Sequence, residues 1–568
     1  MFTFKTVESL PGEGKLAKLE KLKSLREKVN WEVKEERYEL LARLGQSLGR
    51  WQGQPPDLRE IFQGEEIDRL LLDSTDLVAP RMTTFVPTVA LSGYKDEPEL
   101  DEAGKPVLRR TTPIHQAYRY HYGYLPALFE IYDRFDANYI DESGLTHFHA
   151  ACELGRYDVV EKFLEHGQDP NVVWRETGDS PLILALRYLR RRVAELLLRS
   201  GADPNLANAK GETPLHVICS QKKPELVQSF FQICDEKHLS VKIDARNELG
   251  DRPLHLALRI GNRKAVESLL RGGADPMSLN KEGSTPLHII CETGVDGDSM
   301  EIFFKICDEI HRVVQVDATD RRDRTPLQRA LTYIMPRTLD VLLDRGADLS
   351  SFVYPTEAAF IQAFDQWLTD RLDFKLLLAS GVVACVERLE KRGYETHLSD
   401  AVAIMQLFAK HELFEKSADL DRSWYDDEEF AREARWTMIR PDLSLHDLIR
   451  EQLATNRSLA NHEDYLEFWW TNKLEEFLPE EPFEACARHL CETISRRFFK
   501  KWGLVGLVKL TSQRLSILSC DVIVDMLVNA DLYTICLAAS DQDTTWNSQC
   551  HGTLACFSRR AEVTRSRR

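Results

Sequence analysis

The sequence predicts an all-α protein: a solenoid of about seven stacked helix pairs, with a helical cap before it and a helical bundle after it. Three observations predict this. A helix-opening signal, clearest as Thr213-Pro214-Leu215-His216 and Thr285-Pro286-Leu287-His288, returns seven times between 112 and 355. Counted from the proline slot, at 113, 147, 181, 214, 253, 286 and 326, the steps are 34, 34, 33, 39, 33 and 40 residues. A closing signal, as in Gly201-Ala-Asp-Pro-Asn205, follows an apolar helix in phase with the first. Outside 112–355 the period vanishes while apolar residues keep helical spacing. A period near 33 marks repeated units that bury their apolar faces only by stacking.

Taken in order, residues 1–107 form an N-terminal helical region and linker. Residues 14–51 read as one charged helix, with Leu16, Leu19, Leu22, Val29, Val33, Leu40, Leu44 and Leu48 near one face. Gly53-Gln-Pro-Pro56 breaks it, and Asp57 to Leu72 reads as a second helix with Asp57 as N-cap. These helices are expected to cover the open end of the array, as terminal units must. Dimerisation through a coiled coil is the rival reading, against which the apolar spacing drifts from a strict heptad. Lys95 to Lys105, rich in Asp, Glu, Pro and Gly, reads as a linker.

The array occupies 108–356. Threonine before proline starts a helix because its hydroxyl accepts a bond from an orphan backbone N–H, and proline at the first position loses no needed donor. Leucine then faces the core, and His216, His255 and His288 are expected to bond to neighbouring turns. Thr146-His147-Phe148-His149 keeps everything but the proline. The glycine of the closing signal ends the second helix in the left-handed conformation, and Asp-Pro turns the chain out. Two repeats are longer and match each other through Phe230-Phe-Gln-Ile-Cys-Asp-Glu-Lys-His238 and Phe303-Phe-Lys-Ile-Cys-Asp-Glu-Ile-His311. Their second helix is predicted to be extended, on a higher-order period of about 72 residues. Arg190 to Arg192, in an inter-helix turn where Leu189 replaces the usual glycine, reads as solvated.

These paired motifs closely resemble ankyrin repeats over about 113–355, the handed-down 33-residue unit that opens Thr-Pro-Leu-His. The resemblance implies a protein-binding surface made of projecting turns and the inner helices. By the spacing, the tips fall near Trp174-Arg175, Asn208 and Lys210, Arg246 and Glu248, Asn280 and Glu282, and Asp320 to Arg322. These are the candidate target-binding residues. Trp174, an aromatic at a tip, is the first choice for a hot spot, with packing against a neighbouring turn as the alternative.

Residues 357–439 read as a helical connecting region and 440–540 as a separate C-terminal domain. Phe374-Lys-Leu-Leu-Leu, Ala401 to Phe408 and Leu443 to Ile449 are amphipathic, Asp419 to Glu433 reads as an acidic surface turn, and Phe468, Trp469 and Trp470 as core. Arg514 to Leu532 carries a leucine, an amphipathic helix and then Asp-Leu opening another helix. Leu515, Ile523, Leu527 and the pair Asp531-Leu532 thereby resemble the F-box pattern. With an ankyrin array upstream, the segment resembles the PRANC domain that ends poxvirus and parasitoid-wasp ankyrin proteins. The resemblance implies docking on a Skp-type linker of a cullin ubiquitin ligase, with Leu515, Ile523, Leu527 and Leu532 as apolar anchors in the helix-in-groove manner. The sequence departs from the pattern at Ser516, where proline is usual, and at Leu518, where an acid is expected, and it lacks the later tryptophan. Packing of these leucines inside the bundle is the alternative. Residues 541–568 read as a disordered tail whose five arginines between 558 and 568 are at most a nuclear-localisation patch.

Composition narrows the function. The 568 residues carry a formal charge of -17, against nucleic acid or anionic membrane as the main partner. The longest apolar run, Leu376 to Val386, falls short of a membrane span, and no secretory signal opens the chain. Of twelve cysteines, Cys152, Cys219 and Cys291 share one repeat position and Cys234 and Cys307 another, which reads as buried helix-face thiols in a reducing compartment. The cytoplasm is expected, with the nucleus as the alternative. No phosphate loop, nucleophile elbow, His-Glu-x-x-His or paired Cys-x-x-Cys occurs, and Cys550-His551 with Cys556 lacks a second ligand pair. No catalytic residue, metal or cofactor is expected. The function predicted is an adaptor that holds a target protein in the array and docks a ligase through its C-terminus. The alternative is an interaction protein that masks its partner without a ligase.

Overall fold

The computed structural model describes residues 15–48, 55–76, 84–120, 122–293, 298–355, 359–360, 363, 372–414, 427–455, 460–462, 464–465, 468 and 480–540. Among these the regular elements are helices, apart from a two-stranded antiparallel hairpin, β1 (Met438–Arg440) and β2 (Leu443–Ser444). The chain divides into two compact units, 1–275 and 276–568.

In the first unit four helices precede the repeats: α1 (Lys15–Arg26), α2 (Lys34–Leu48), α3 (Gly64–Ser74) and α4 (Phe85–Leu91). The single helix expected over 14–51 is two, because residues 27–33 turn the chain. There Asn30 Oδ1 accepts the Glu32 N–H at 3.1 Å, and Glu36 accepts the Asn30 N–H at 2.7 Å. Arg37 then closes the corner, donating to the Trp31 carbonyl at 2.7 Å and forming a buried pair with Asp73 at 2.5 Å. Asp57 caps only a 3-10 turn, Leu58–Glu60, and α3 starts afresh with Glu66 accepting the Gln63 N–H at 2.8 Å. The expected linker is pinned: Asp96 is buried and accepts the Tyr139 hydroxyl at 2.5 Å, with the Arg110 guanidinium 3.6 Å away. Arg110 also reaches back to Asp68 on α3 at 2.7 Å, so the N-terminal helices are fastened to the first repeat by charge as well as by apolar packing. Residues 53–54, and the Leu16 side chain, lie outside the described residues.

Each repeat is an inner and an outer helix. In this unit the pairs are α5 (Pro113–Tyr120) with α6 (Leu125–Ile131), α7 (His147–Leu154) with α8 (Tyr157–Glu165), α9 (Pro181–Arg187) with α10 (Arg191–Arg199), α11 (Pro214–Cys219) with α12 (Pro224–Glu236), and α13 (Pro253–Ile260) with α14 (Arg263–Arg271). The second unit holds α15 (Pro286–Glu292) with α16 (Ser299–Glu309) and α17 (Pro326–Thr332) with α18 (Pro336–Asp344).

The opening signal works as a hydrogen-bond device. Ser180, Thr146, Thr285 and Thr325 accept the backbone N–H three residues on, at 3.2 to 3.5 Å. The backbone N–H of Thr213 donates to Nδ1 of His216 at 3.1 Å, and Thr285 repeats this with His288. A ring nitrogen that accepts carries no proton, so the neutral imidazole is protonated at Nε2. That proton is donated to a carbonyl in the next repeat: His115 to Leu145, His149 to Val172, His216 to Asp251 and His288 to Arg324, all at 2.9 to 3.1 Å. In the last repeat Gln328 takes the part, reaching the Val353 carbonyl at 3.1 Å.

His147, standing where the other repeats have proline, turns back to Thr112 of the first repeat at 2.6 Å. Its ring is buried among His115, Tyr132 and Tyr139, with centroids 5.0 to 5.5 Å away.

The outer row has its own tie. Asn171 donates to the Gly201 carbonyl at 3.1 Å and accepts the Asp203 N–H at 2.7 Å. Asn205 does the same to Ser240 and Lys242, both at 2.7 Å. The matched long repeats end alike: α12 and α16 span 13 and 11 residues where α8, α10, α14 and α18 span 9, and both terminate with a left-handed histidine, His238 and His311.

Beyond the repeats the second unit continues with α19 (Leu372–Lys391), α20 (Leu398–Lys410), α21 (Glu428–Trp436), α22 (Leu445–Thr455), α23 (Glu480–Leu510), α24 (Ile517–Met526) and α25 (Asn529–Ser540). Part of the acidic segment read as a turn is helical, since Asp427 caps α21 through the Phe430 N–H at 2.8 Å; 419–426 lie outside the described residues, as do Trp469, Trp470 and 541–568. Helix α23 is the axis of the bundle. Gly503 lets α25 approach so closely that a Cβ there would stand 2.6 Å from Leu532. Phe408 of α20 meets Phe499 of α23 edge to face at 5.3 Å.

Candidate protein-binding surfaces

Two surfaces emerge from the residues singled out in the sequence: the projecting turns with the inner helices of the array, and the outer side of α24.

The projecting turns at Asn208, Asn280 and Asp320 are each built by one acceptor that gathers two backbone N–H groups. Asn208 Oδ1 accepts the N–H groups of Lys210 and Glu212 at 3.0 and 2.9 Å, while its amide donates to Asp179 at 2.9 Å. Asn280 accepts from Glu282 and Ser284 at 3.0 and 2.9 Å. Asn208 and Asn280 therefore shape the turns with the side chains expected to meet a target, and Asn208 is buried. Asp320 is buried too, held by Arg324 and Arg329 at 2.9 and 2.6 Å. The side chains left projecting are Arg175, Lys210, Arg246, Glu248, Glu282 and Arg322. Neighbouring turns stack tightly. Gly178, at φ 73, has Ala209 N only 2.3 Å from where a Cβ would stand, so no side chain fits there.

Trp174 is half-buried and joins the turn to the inner row. Its indole N–H donates to Ser143 Oγ at 3.1 Å, and its ring meets Tyr118 of α5 edge-on at 5.8 Å. Arg190 to Arg192 are more tied down than a solvated run: Arg190 lies against Gly155 and donates from Nε to the Glu153 carbonyl at 2.8 Å, Arg191 pairs with Glu195 at 2.8 Å, and Arg192 sits 5.0 Å from the Tyr157 ring centroid. Sequence reasoning missed Glu153, Tyr118 and Tyr188, which come together only because three successive inner helices stack.

At the C-terminus, Ser516 caps α24 by accepting the Ser519 N–H at 3.1 Å, so serine does here the work of starting the helix. Cys520 and Val524 face inward. The opposite side is apolar and open: Leu518 is 74% exposed, Val522 60% and Met526 81%, at i, i+4 and i+8. Leu515 and Ile523 border this stripe and are also exposed, whereas Leu527 is half-buried. Leu532 is wholly buried against Gly503, so it is a core residue and no surface anchor. Asp531 accepts the Val528 N–H at 3.3 Å, opening α25. Arg496 of α23 holds the junction of α24 and α25, donating to the Leu527 carbonyl and to Asn529 Oδ1 at 3.1 Å.

The described residues contain no group of three or more His, Cys, Asp or Glu able to hold a metal, and no helix long and apolar enough to cross a membrane. Burial pushes the Cys219 and Cys486 thiols well above the usual range and Cys307 up to about 11, which leaves them unreactive.

Comparison with known proteins accounts for the array. The family described as ankyrin repeats, three copies, matches residues 114–208, 182–280 and 254–352, so this stretch consists of ankyrin repeats. The chain is 36% identical over 131 residues to neurogenic locus notch homolog protein 1 of Danio rerio, covering 23% of this chain and 5% of that protein. It is 35% identical over 122 residues to neurogenic locus notch homolog protein 4 of Homo sapiens, covering 22% and 6%. To the transient receptor potential cation channel subfamily A member 1 of Homo sapiens it is 25% identical over 218 residues, covering 37% and 18%. The chain thus spans under a fifth of the length of these relatives, and the likeness is to their repeats.

Proposed function

We propose that this ankyrin-repeat protein is a non-catalytic adaptor whose repeats hold a target protein while its C-terminal helix α24 docks on a Skp-type linker of a cullin ubiquitin ligase. Ankyrin repeats indicate a protein-interaction module, and the ligase arm is carried by one observation. Helix α24 turns Leu518, Val522 and Met526 to solvent on a helix whose other side is packed, the pattern of an amphipathic helix awaiting a hydrophobic groove. Leu518, the departure from the F-box pattern, extends that stripe where an acid would have interrupted it. An adaptor of this kind acts by proximity, raising the concentration of target lysines near a ubiquitin-loaded enzyme. The buried free thiols suit the reducing cytoplasm, where such ligases work.

The test is co-purification of the full chain with a Skp-type linker, comparing wild type with Val522→Asp and Met526→Asp. Both side chains are exposed, so neither change disturbs the core. Linker recovered with wild type and lost with both variants supports the ligase arm. No recovery, or equal recovery with the variants, returns the protein to the masking role, a reading that the burial of Leu532 favours because it withdraws one of the expected anchors.

A further inference from the structure

The inner row of the first three repeats contains a buried carboxylate that makes no ion pair. Glu153, on the last turn of α7, is 5% exposed. Its Oε2 accepts the hydroxyl of Tyr118 from the preceding repeat, and the Tyr188 hydroxyl from the following repeat also bonds to it. Phenols satisfy the oxygen lone pairs but leave the negative charge in place. The nearest cations, Arg187 and Arg190, ease its charge through space but make their bonds elsewhere. Arg187 is forked onto Asp179, with its second bond at 2.9 Å, and Arg190 gives its Nε to the backbone carbonyl of Glu153. Arg119 pairs with Asp141 at 3.0 Å and lies 3.8 Å from Glu176. Among the described residues no side-chain cation is within ion-pair distance of the Glu153 carboxylate. A lone carboxylate buried beside apolar rings is unfavourable, and burial accordingly pushes its carboxyl above the usual range.

The groups around it are aromatic. Tyr118 meets the Trp174 ring edge-on at 5.8 Å and the Tyr122 ring at 6.5 Å, and Tyr188 stands at the rim, 44% exposed. The polar handles of three of these rings are already spent inward: two phenols on Glu153, the indole on Ser143. What they offer outward is π surface, fixed in place before any partner arrives. Electron-rich ring faces over a buried carboxylate that makes no ion pair attract a cation. A proline-rich segment would use the rings but would leave Glu153 unpaired.

We infer that Glu153 with its rim of Tyr118, Trp174 and Tyr188 is a receptor for a cationic side chain, arginine or lysine, presented by the target protein. The inference deepens the target-binding half of the reading above and is independent of the ligase arm. It assigns the specificity of the array to its first three repeats.

The test uses the full chain, immobilised, and three pools of nonapeptides with randomised flanks and a fixed central residue: arginine, lysine or glutamine. The arginine and lysine pools should be retained about tenfold over the glutamine pool, the factor expected of a cation over partly desolvated rings. Glu153→Gln and Tyr188→Ala should each remove that excess. Equal retention of the three pools by wild type, or an excess that survives both substitutions, overturns the receptor. If a thermal melt shows that Glu153→Gln has not folded, Tyr188→Ala decides alone, since its ring is at the surface. Linker co-purification run on the same samples separates the two halves: a flat pool profile with the linker still bound overturns the receptor and leaves the ligase reading standing.

Discussion

His216 donates its Nε2 proton to the carbonyl oxygen of Asp251 at 3.1 Å, and through that bond one repeat holds the turn of the next. The ring's other bond, in which Nδ1 accepts the Thr213 N–H, exists only while the ring is neutral. Burial holds His115, His149 and His288 down to about 4 and lowers His216 in the same way. In the unfolded chain these rings titrate near 6.5, so the unfolded state takes up protons first as pH falls. For His115, His149 and His288 the contribution is therefore complete above about pH 6.5 and is lost between there and pH 4, by up to about 2 kcal/mol per ring at pH 5, and His216 adds to the loss in the same direction. Urea unfolding at pH 7.5 and pH 5 should show the loss. His216→Gln should keep the tie, as Gln328 does naturally, and should lessen the pH dependence by that one ring's share. A variant as pH-sensitive as wild type would show that other groups govern the fall.

The missing proline gives a second expectation. His147→Pro restores the consensus yet removes a buried ring, its bond to Thr112, and the N–H that donates to the Tyr139 carbonyl at 3.2 Å. We expect a loss of about 3 kcal/mol, seen as a lower denaturant midpoint. A stabilised variant would mean that helix initiation outweighs packing here.

The outer tie predicts a gain. Where Asn171 and Asn205 bridge to the following turn, Met277 meets the Gln315 N–H only with its sulfur, at 3.3 Å. Met277→Asn should raise stability by about 1 kcal/mol, and Asn205→Ala should lower it by about as much. Calorimetric melting temperatures moving in opposite directions would bear this out.

Arg329 is almost wholly buried, with Asp320 at 2.6 Å and Ser284 Oγ at 3.1 Å. Arg329→Met leaves Asp320 with Arg324 alone and Ser284 without its donor. A cost of about 3 kcal/mol is expected, and Arg329→Lys should recover little of it because one ammonium cannot replace the fork. Full rescue by lysine would show that only the charge counts.

The helix openings and the matched long repeats could be read from the chain because their causes lie within a few residues: Thr before Pro, His three positions on, glycine after an apolar helix. The features that escaped depend on partners well outside the local segment. Nothing near Asn30 announces that Arg37 will close on Asp73, and nothing in the acidic stretch around Asp96 announces Tyr139 or Arg110. Asn208 belongs to the same class: its place at a tip was visible, but not that its side chain is spent on Asp179 and on its own turn. Glu153 was out of reach for a further reason. Its aromatic neighbours come from three repeats, each unremarked in its own segment, and only stacking makes them one surface. The amphipathic helix ahead of Asp531-Leu532 was legible, but its exposed stripe from Leu518 to Met526 was not, since which side faces water depends on how Cys520 and Val524 pack.

The ties of the inner row run one way. His115, His149, His216 and His288 each give a proton to a carbonyl lying later in the chain, and the last giver, Gln328, finds its acceptor in Val353, after the final helix pair has closed. The array therefore has a grammar of endings: it may begin wherever a threonine is free to start, but it must finish on a residue that only receives. Anyone cutting the repeats free should cut beyond Val353, since a fragment stopped at the last Gly-Ala-Asp would look complete by its motifs and still lack its final receiver.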